Sequence, residues 1–152
     1  MNQILKIKNK DPWVMYLIIR DSLNMSIGKT AAQVGHAVGM LYSAHSRLEW
    51  HINDCISESF GYTQDLEDLK PDDMLKLIKT TNFDDWKNSA HRKVVLKAND
   101  SQWEKLKEKV ECYIVIDAGL TELEPGNETV IGLWPCRRSQ RPNIIKKLQC
   151  CK

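Results

Sequence analysis

The apolar and polar positions of this chain alternate between two periods, and the change from one to the other is sharpest near residue 28. Val14-Met15-Tyr16-Leu17-Ile18-Ile19-Arg20 is apolar up to its last residue, partly β-branched and free of Gly and Pro. That pattern predicts a strand buried on both faces of a parallel-type sheet. Asp21 to Gly28 is a polar, turn-forming stretch, and from Gly28 the spacing becomes helical. Ala31, Val34, Val38, Leu41 and Tyr42 recur three or four apart and predict one apolar stripe. Lys29, Gln33 and His36 form a polar row beside it. Gly35 and Gly39 stand one turn apart, and each costs a helix about 1 kcal/mol relative to Ala. The expectation is that another backbone packs closely against them.

Further along, Lys93 to Ala98 predicts a second strand, followed by helix-capping residues in which Ser101 and Glu104 stand in capping-box register. The helix that follows, to about Glu111, turns Trp103, Leu106 and Val110 inward. Cys112 to Ile116 reads as a third strand. Glu124-Pro125-Gly126-Asn127 places Pro and Gly where a type II turn wants them, and Thr129 to Trp134 reads as a fourth strand. A final helix is expected from about Pro142, burying Ile144, Ile145 and Leu148. Residues 1–12 read as a loose lead-in closed by Asp11-Pro12, and Phe60-Gly61-Tyr62 as a turn. Residues 47–84 read as a solvated insertion carrying one or two helices, one of them opening at Pro71 with acids in its first turn. The expected fold is a single α/β domain spanning residues 1–152, with a mixed, roughly four-stranded sheet in a three-layer α/β/α arrangement.

A length of 152 residues with 42% hydrophobic content suits one domain with a sizeable core. No apolar run approaches the roughly 20 residues that cross a bilayer, which predicts a soluble, cytoplasmic protein with no membrane association. The five cysteines lack paired C-x-x-C spacing and predict reduced thiols. The net charge of +2 conceals a segregation: residues 49–73 hold eight acids and one lysine, whereas residues 137–152 hold six basic residues and no acid. The basic tail is a candidate phosphate-contacting surface, against the alternative of a solvated terminal helix.

Ligands of such sheets gather beyond the carboxyl ends of the strands, and Lys29 and Asp117 both lie just past such ends. One chemistry for that pair is nucleotide binding, since Gly28-Lys29-Thr30 and Ile114-Val115-Ile116-Asp117 imitate a P-loop and its magnesium-holding aspartate. The position five before Gly28 is Leu23 rather than glycine, and Met25 and Ile27 crowd a loop whose amides should wrap phosphates. A zinc ion shared by His51 and Cys55 falls two ligands short of a structural site. His45 and His91 are expected to be surface or half-buried residues.

The run from Arg20 to His36, Arg-Asp-Ser-Leu-Asn-Met-Ser-Ile-Gly-Lys-Thr-Ala-Ala-Gln-Val-Gly-His, resembles the signature of the type 2, archaeal and eukaryotic family of peptidyl-tRNA hydrolases. Lys93 to Ala98 and Asp117 to Thr129 resemble its later blocks, in order. The resemblance implies hydrolysis of the ester between a peptide and the 3′-terminal ribose of tRNA, without a metal or organic cofactor. It implies peptidyl-tRNA as partner and a homodimer. Its functional positions fall on Lys29, Asp117, Thr121 and Thr129, with Gln33 and His36 in support. On chemical grounds, ester hydrolysis needs an oriented water and positive charge or donors where the oxyanion develops. That suggests Asp117 acting on the water, Lys29 on the developing charge, and Thr121 and Thr129 fixing geometry. Lys29 and Asp117 could exchange roles. Where the family carries Met-Gly-Lys-Gly-Lys, this chain has Met25-Ser26-Ile27-Gly28-Lys29, with one glycine and one basic residue fewer. Arg20, Arg137, Arg138 and Arg141 are the candidates to meet tRNA phosphates instead. The rival reading is a non-catalytic tRNA- or protein-binding module derived from the same fold.

Overall fold

The structure is a computed structural model that describes residues 11–58 and 69–152, and the side chains of 55–58 fall outside the description. The expected turn at Phe60 to Tyr62 lies outside the described residues, as does nearly all of the lead-in. Strand β1, Trp13–Arg20, is the centre of the sheet and is buried along almost its whole length. Its alternation serves two cores at once. Val14, Tyr16 and Ile18 point to one face, and Trp13, Met15, Leu17 and Ile19 to the other.

Helix α1, Ile27–Glu58, and helix α2, Pro71–Lys87, cover the second of these faces. Strand β2, Lys93–Ala98, pairs parallel with β1 in the register Leu17 to Val95. Helix α3, Asp100–Lys109, covers the first face with Trp103 and Leu106. Strands β3, Tyr113–Ile116, and β4, Glu128–Gly132, pair antiparallel with each other, and β4 pairs antiparallel with β1. Two-residue strands β5, Cys136–Arg137, and β6, Gln149–Cys150, complete a mixed sheet of order β3-β4-β1-β2-β6, with β5 on β1. The three-layer expectation holds, with six strands among the described residues rather than four.

Five local expectations are corrected. The close approach sought at Gly35 and Gly39 occurs instead at Gly132 of β4, where a Cβ would sit 3.0 Å from the Leu41 side chain; one at Gly35 or Gly39 would meet nothing within 4 Å. The buried stripe of α1 accordingly runs through Gln33, Ala37, Leu41 and Ala44, and leaves Ala31 and Tyr42 exposed. The capping box of α3 is Asn99 with Gln102, not Ser101 with Glu104. The expected last helix is a single 3-10 turn, Ile145–Lys147, leading into β6, although it does bury Ile145 and Leu148. Finally, the described parts of residues 47–84 are not solvated throughout. Helix α1 continues through Arg47 without a break, and α2 buries Thr80 and Phe83, with Trp86 just beyond, beneath β1.

Candidate active site

Two loops and the first turn of α1 meet at the carboxyl end of β1. The chain leaves β1 through a 3-10 turn, Asp21–Leu23, closed by Asn24 in the left-handed region, and enters α1 at Ile27. Ser26 serves the helix start with its hydroxyl, which accepts from the Lys29 backbone N–H at 3.2 Å. The Glu122 carboxylate accepts from both the N–H and the hydroxyl of Ser26 and ties this entry to the loop after β3. That second loop leaves β3 at Asp117 and returns through Gly126, whose φ of +90° fits the expected turn and whose N–H donates to the Asp117 carbonyl. Gly119 is required where it stands: its φ is +74°, and a Cβ would fall 2.6 Å from Pro125.

These loops bring Lys29 and Asp117 into contact although 88 positions separate them. The Lys29 Nζ donates to Asp117 Oδ1 at 2.5 Å and to Thr121 Oγ1 at 2.8 Å. Gln33 Nε2 donates to the same Asp117 oxygen at 3.0 Å, while the other oxygen accepts the Gly119 N–H at 3.0 Å. Thr129, fully buried on β4, donates to Gln33 Oε1 at 2.7 Å and so fixes which way the amide points. Asp117 is 5% exposed, yet its carboxyl is held below the usual carboxylate value, first by the hydrogen bond from Lys29 and then by the Gly119 and Gln33 donors, against the opposing effect of burial. The cluster opens into a groove of about 1330 Å³ that His36 also lines.

The family profile described as peptidyl-tRNA hydrolase PTH2 matches residues 13–151. Similar proteins named peptidyl-tRNA hydrolase include one from Pyrobaculum aerophilum, 32% identical over 80% of this chain and 82% of its own length. Another, from Methanopyrus kandleri, is 31% identical over 87% of this chain and 92% of its own. A third, from Methanococcus maripaludis, is 28% identical over 88% and 94%. The chain belongs to the peptidyl-tRNA hydrolase PTH2 family.

Within this member of the peptidyl-tRNA hydrolase family, the residues expected at the site divide into two groups. Lys29, Gln33, Asp117, Thr121 and Thr129 form one hydrogen-bonded chain, with His36 on the groove beside them. The arginines lie elsewhere. Arg20 is held by Asp100 at 2.8 Å and lies over the Trp103 ring on the α3 side. Arg137 lies over Trp13, and Arg138 donates its N–H to Pro12, at the far end of β1. Arg141 donates to the Arg138 carbonyl in the same neighbourhood. Eight strand residues at about 3.3 Å each put that end roughly 25 Å from the end of β1 that leads into the Lys29 loop. Ser26 and Ile27, which depart from the family's loop, behave differently: Ser26 is bound to Glu122, and Ile27 is 91% exposed.

Glu122 and Gly119 also belong to the site, beyond the residues the resemblance implies, although both fall in the block that resembles the family. The signal for Gly119 was the glycine two residues after the aspartate. No spacing announces the reach of Glu122 to Ser26 across 96 positions.

Among the described residues one group could offer three ligands to a metal, His45, Glu49 and Asp84. His45 is buried, contrary to expectation, and stacks on Phe83 at 4.4 Å. Its Nδ1 lies 3.6 Å from Glu49 and its Nε2 3.0 Å from Asp84 Oδ1, an oxygen that also faces the Lys87 ammonium at 3.3 Å. The carboxylates flank different nitrogens of one ring and do not converge on a single ring nitrogen, as chelation requires. His51 contacts Asp73 and Lys76, and the Cys55 side chain lies outside the description.

Proposed function

We propose that this protein hydrolyses the ester between a peptide and the 3′-terminal ribose of tRNA, with Lys29, Asp117 and Thr121 at the reacting atoms. The observation that carries the reading is the Lys29 ammonium bound at once to the Asp117 carboxylate and the Thr121 hydroxyl, at the mouth of a groove. An ammonium has three hydrogens, and those two bonds leave one for an oxyanion or a phosphate oxygen. The Thr121 oxygen accepts from Lys29, which leaves its own hydrogen for the water or the departing ribose oxygen. Asp117, with its lowered carboxyl, is a weak base and a firm acceptor, so it orients a water and holds Lys29 in place. Water adds to the ester carbonyl carbon and the bond to the ribose oxygen breaks. One proton of the water passes to the departing ribose oxygen, which leaves as the 3′-hydroxyl, and the peptide leaves as a carboxylate with the second proton released to solvent. Gln33 and Thr129 are positioning residues that act through Asp117.

Arg138 and Arg141 would meet tRNA phosphates away from the ester, with Arg92 and Lys146 lining the same hollow. Alanine at Arg137, Arg138 and Arg141 should flatten the dependence of log affinity on log salt by up to about 0.9 per lost phosphate contact. An unchanged slope would remove these residues from the interface. The same reading places the protein in translation in the cytoplasm, as a homodimer whose stoichiometry sedimentation would measure. Among the described residues no helix is long and apolar enough to cross a membrane.

Release of peptide from purified peptidyl-tRNA tests the reading. The native protein should turn over, and Lys29→Ala and Asp117→Asn should each lose on the order of 10²-fold or more in kcat while circular dichroism stays native. Turnover surviving in both variants would discard these roles. Binding of tRNA without turnover by the native protein would put the non-catalytic module in its place.

A further inference from the structure

The groove beyond Lys29 has features the ester chemistry does not need. It runs beside α1 as far as Arg47, with β3 and the loop after Asp117 as its other wall. On the α1 side Gly35 and Gly39 line it, and a Cβ at either would meet nothing within 4 Å. No packing among the described residues therefore accounts for two glycines in the middle of a helix. On the opposite side β3 ends the sheet and, among the described residues, pairs with β4 alone, so its outer N–H and C=O groups face the groove. The groove's charges stand at its ends, with Lys29, Asp117 and Glu122 at one and Arg47 at the other; between them come His36 and a run of small, apolar or neutral residues.

From these observations we infer that the groove receives the peptide part of the substrate as an added strand on the free edge of β3, passing over Gly35 and Gly39. The inference rests on the hydrolase reading of Lys29 and Asp117. A nucleic-acid strand would want cations at intervals along its phosphates, and the middle of this groove supplies none. A peptide of arbitrary sequence needs the reverse, main-chain partners that ignore side chains, and an open strand edge provides them. The helix wall must then leave room for whatever side chains arrive, which glycines do. The direction follows from the ester. It sits at the Asp117 end of β3, so the peptide's carboxyl end lies there and its chain runs parallel to β3, with its amino end toward Tyr113 and Arg47. Lys29 to Gly39 is about 15 Å of helix, which an extended chain covers in about four or five residues at roughly 3.3 Å each.

The test compares tRNAs carrying one-residue and five-residue N-acetylated peptides, in the native protein, Gly35→Leu and Gly39→Leu, with circular dichroism as the folding check. Both variants should fold, because the new side chains enter open space. The native kcat/KM should favour the longer peptide about tenfold, and Gly39→Leu should abolish that preference. Gly35→Leu, nearer the ester, should abolish it as well while sparing the one-residue substrate. A length preference unchanged by both variants overturns the proposal. An equal loss on both substrates also overturns it and gives the groove to the RNA end. If the native protein cleaves neither substrate, the hydrolase reading fails separately, and an amide-linked, uncleavable peptidyl-adenosine decides the groove. Affinity rising from one residue to five in the native protein, but not in Gly39→Leu, sustains the inference; affinity independent of length ends it.

Discussion

Thr129 and Asp117 show how the site depends on single atoms. The Thr129 hydroxyl is fully buried and directs the Gln33 carbonyl, leaving the Gln33 amide nitrogen to face Asp117. Thr129→Val keeps the shape and removes the donor, so a buried acceptor is left unpaired at about 1–3 kcal/mol. We expect that loss in urea denaturation, together with a kcat lower by about tenfold at little-changed KM, and recovery of both in Thr129→Ser. Equal kinetics in Thr129→Val would free Gln33 of any positioning role. Asp117 makes a separate prediction through pH. Its carboxyl is held below the ordinary 3.8, foremost by the Lys29 hydrogen bond, so it remains ionised throughout the neutral and mildly acidic range. A rate that titrates between pH 5 and 8 must then belong to another group, and Asp117→Asn should lower the profile without shifting its midpoint. The meeting of Lys29 with Asp117 was legible in the sequence, because both residues follow strand ends. The part played by Thr129 through Gln33 was not, since it depends on a rotamer and on which way an amide faces.

Helix α1 and the loop after β3 make opposite predictions at their glycines. Gly39 lies in mid-helix with open space before it, so Gly39→Ala should raise stability by about 1 kcal/mol, as an ordinary helix substitution does. Gly119→Ala should cost more than about 1 kcal/mol, because its φ is positive and Pro125 already occupies the space of a Cβ. Guanidinium denaturation of the two variants reads both signs, and a destabilised Gly39→Ala would mean that the helix needs its glycine for internal packing after all. Strands β1 to β4 could be read from the chain because each is an apolar run long enough to show a period. Strands β5 and β6 could not, because two residues carry no period and their pairing is decided by tertiary contact. The mistaken last helix has the same origin. Ile144, Ile145 and Leu148 fit helical spacing, but they also fit one 3-10 turn that lays Ile145 and Leu148 on the sheet before Gln149 and Cys150 pair with β2.

Across the whole molecule, hydrogen-bonded acids and half-buried thiols fix the pH range in which the fold is stable. The carboxyls of Asp11, Asp73, Asp100, Asp117, Glu122 and Glu128 all lie below their ordinary values. The chief cause in each case is a side-chain hydrogen bond, from Ser139, His51, Arg20, Lys29, Ser26 and Lys107 respectively. Near pH 4 the unfolded chain therefore binds more protons than the native one, so stability is full above the unfolded values of 3.8 to 4.5 and is lost as pH falls through the lower native values. The alkaline side has the opposite sign. Burial pushes the Cys112 thiol up to about 11 from 9.0 and raises Cys136, so the unfolded chain ionises first and stability begins to fall above about pH 9. A thermal midpoint followed across pH should therefore show a plateau between about 5 and 9 with a descent on each side. Cys150 and Cys151, both exposed, let the alkaline limb be checked independently. With a maleimide at pH 8 they should react at once, while Cys112 and Cys136 wait for the chain to open and gain speed only as denaturant is added. A midpoint that already falls between pH 8 and 6 would show that groups other than these acids and thiols govern the fold.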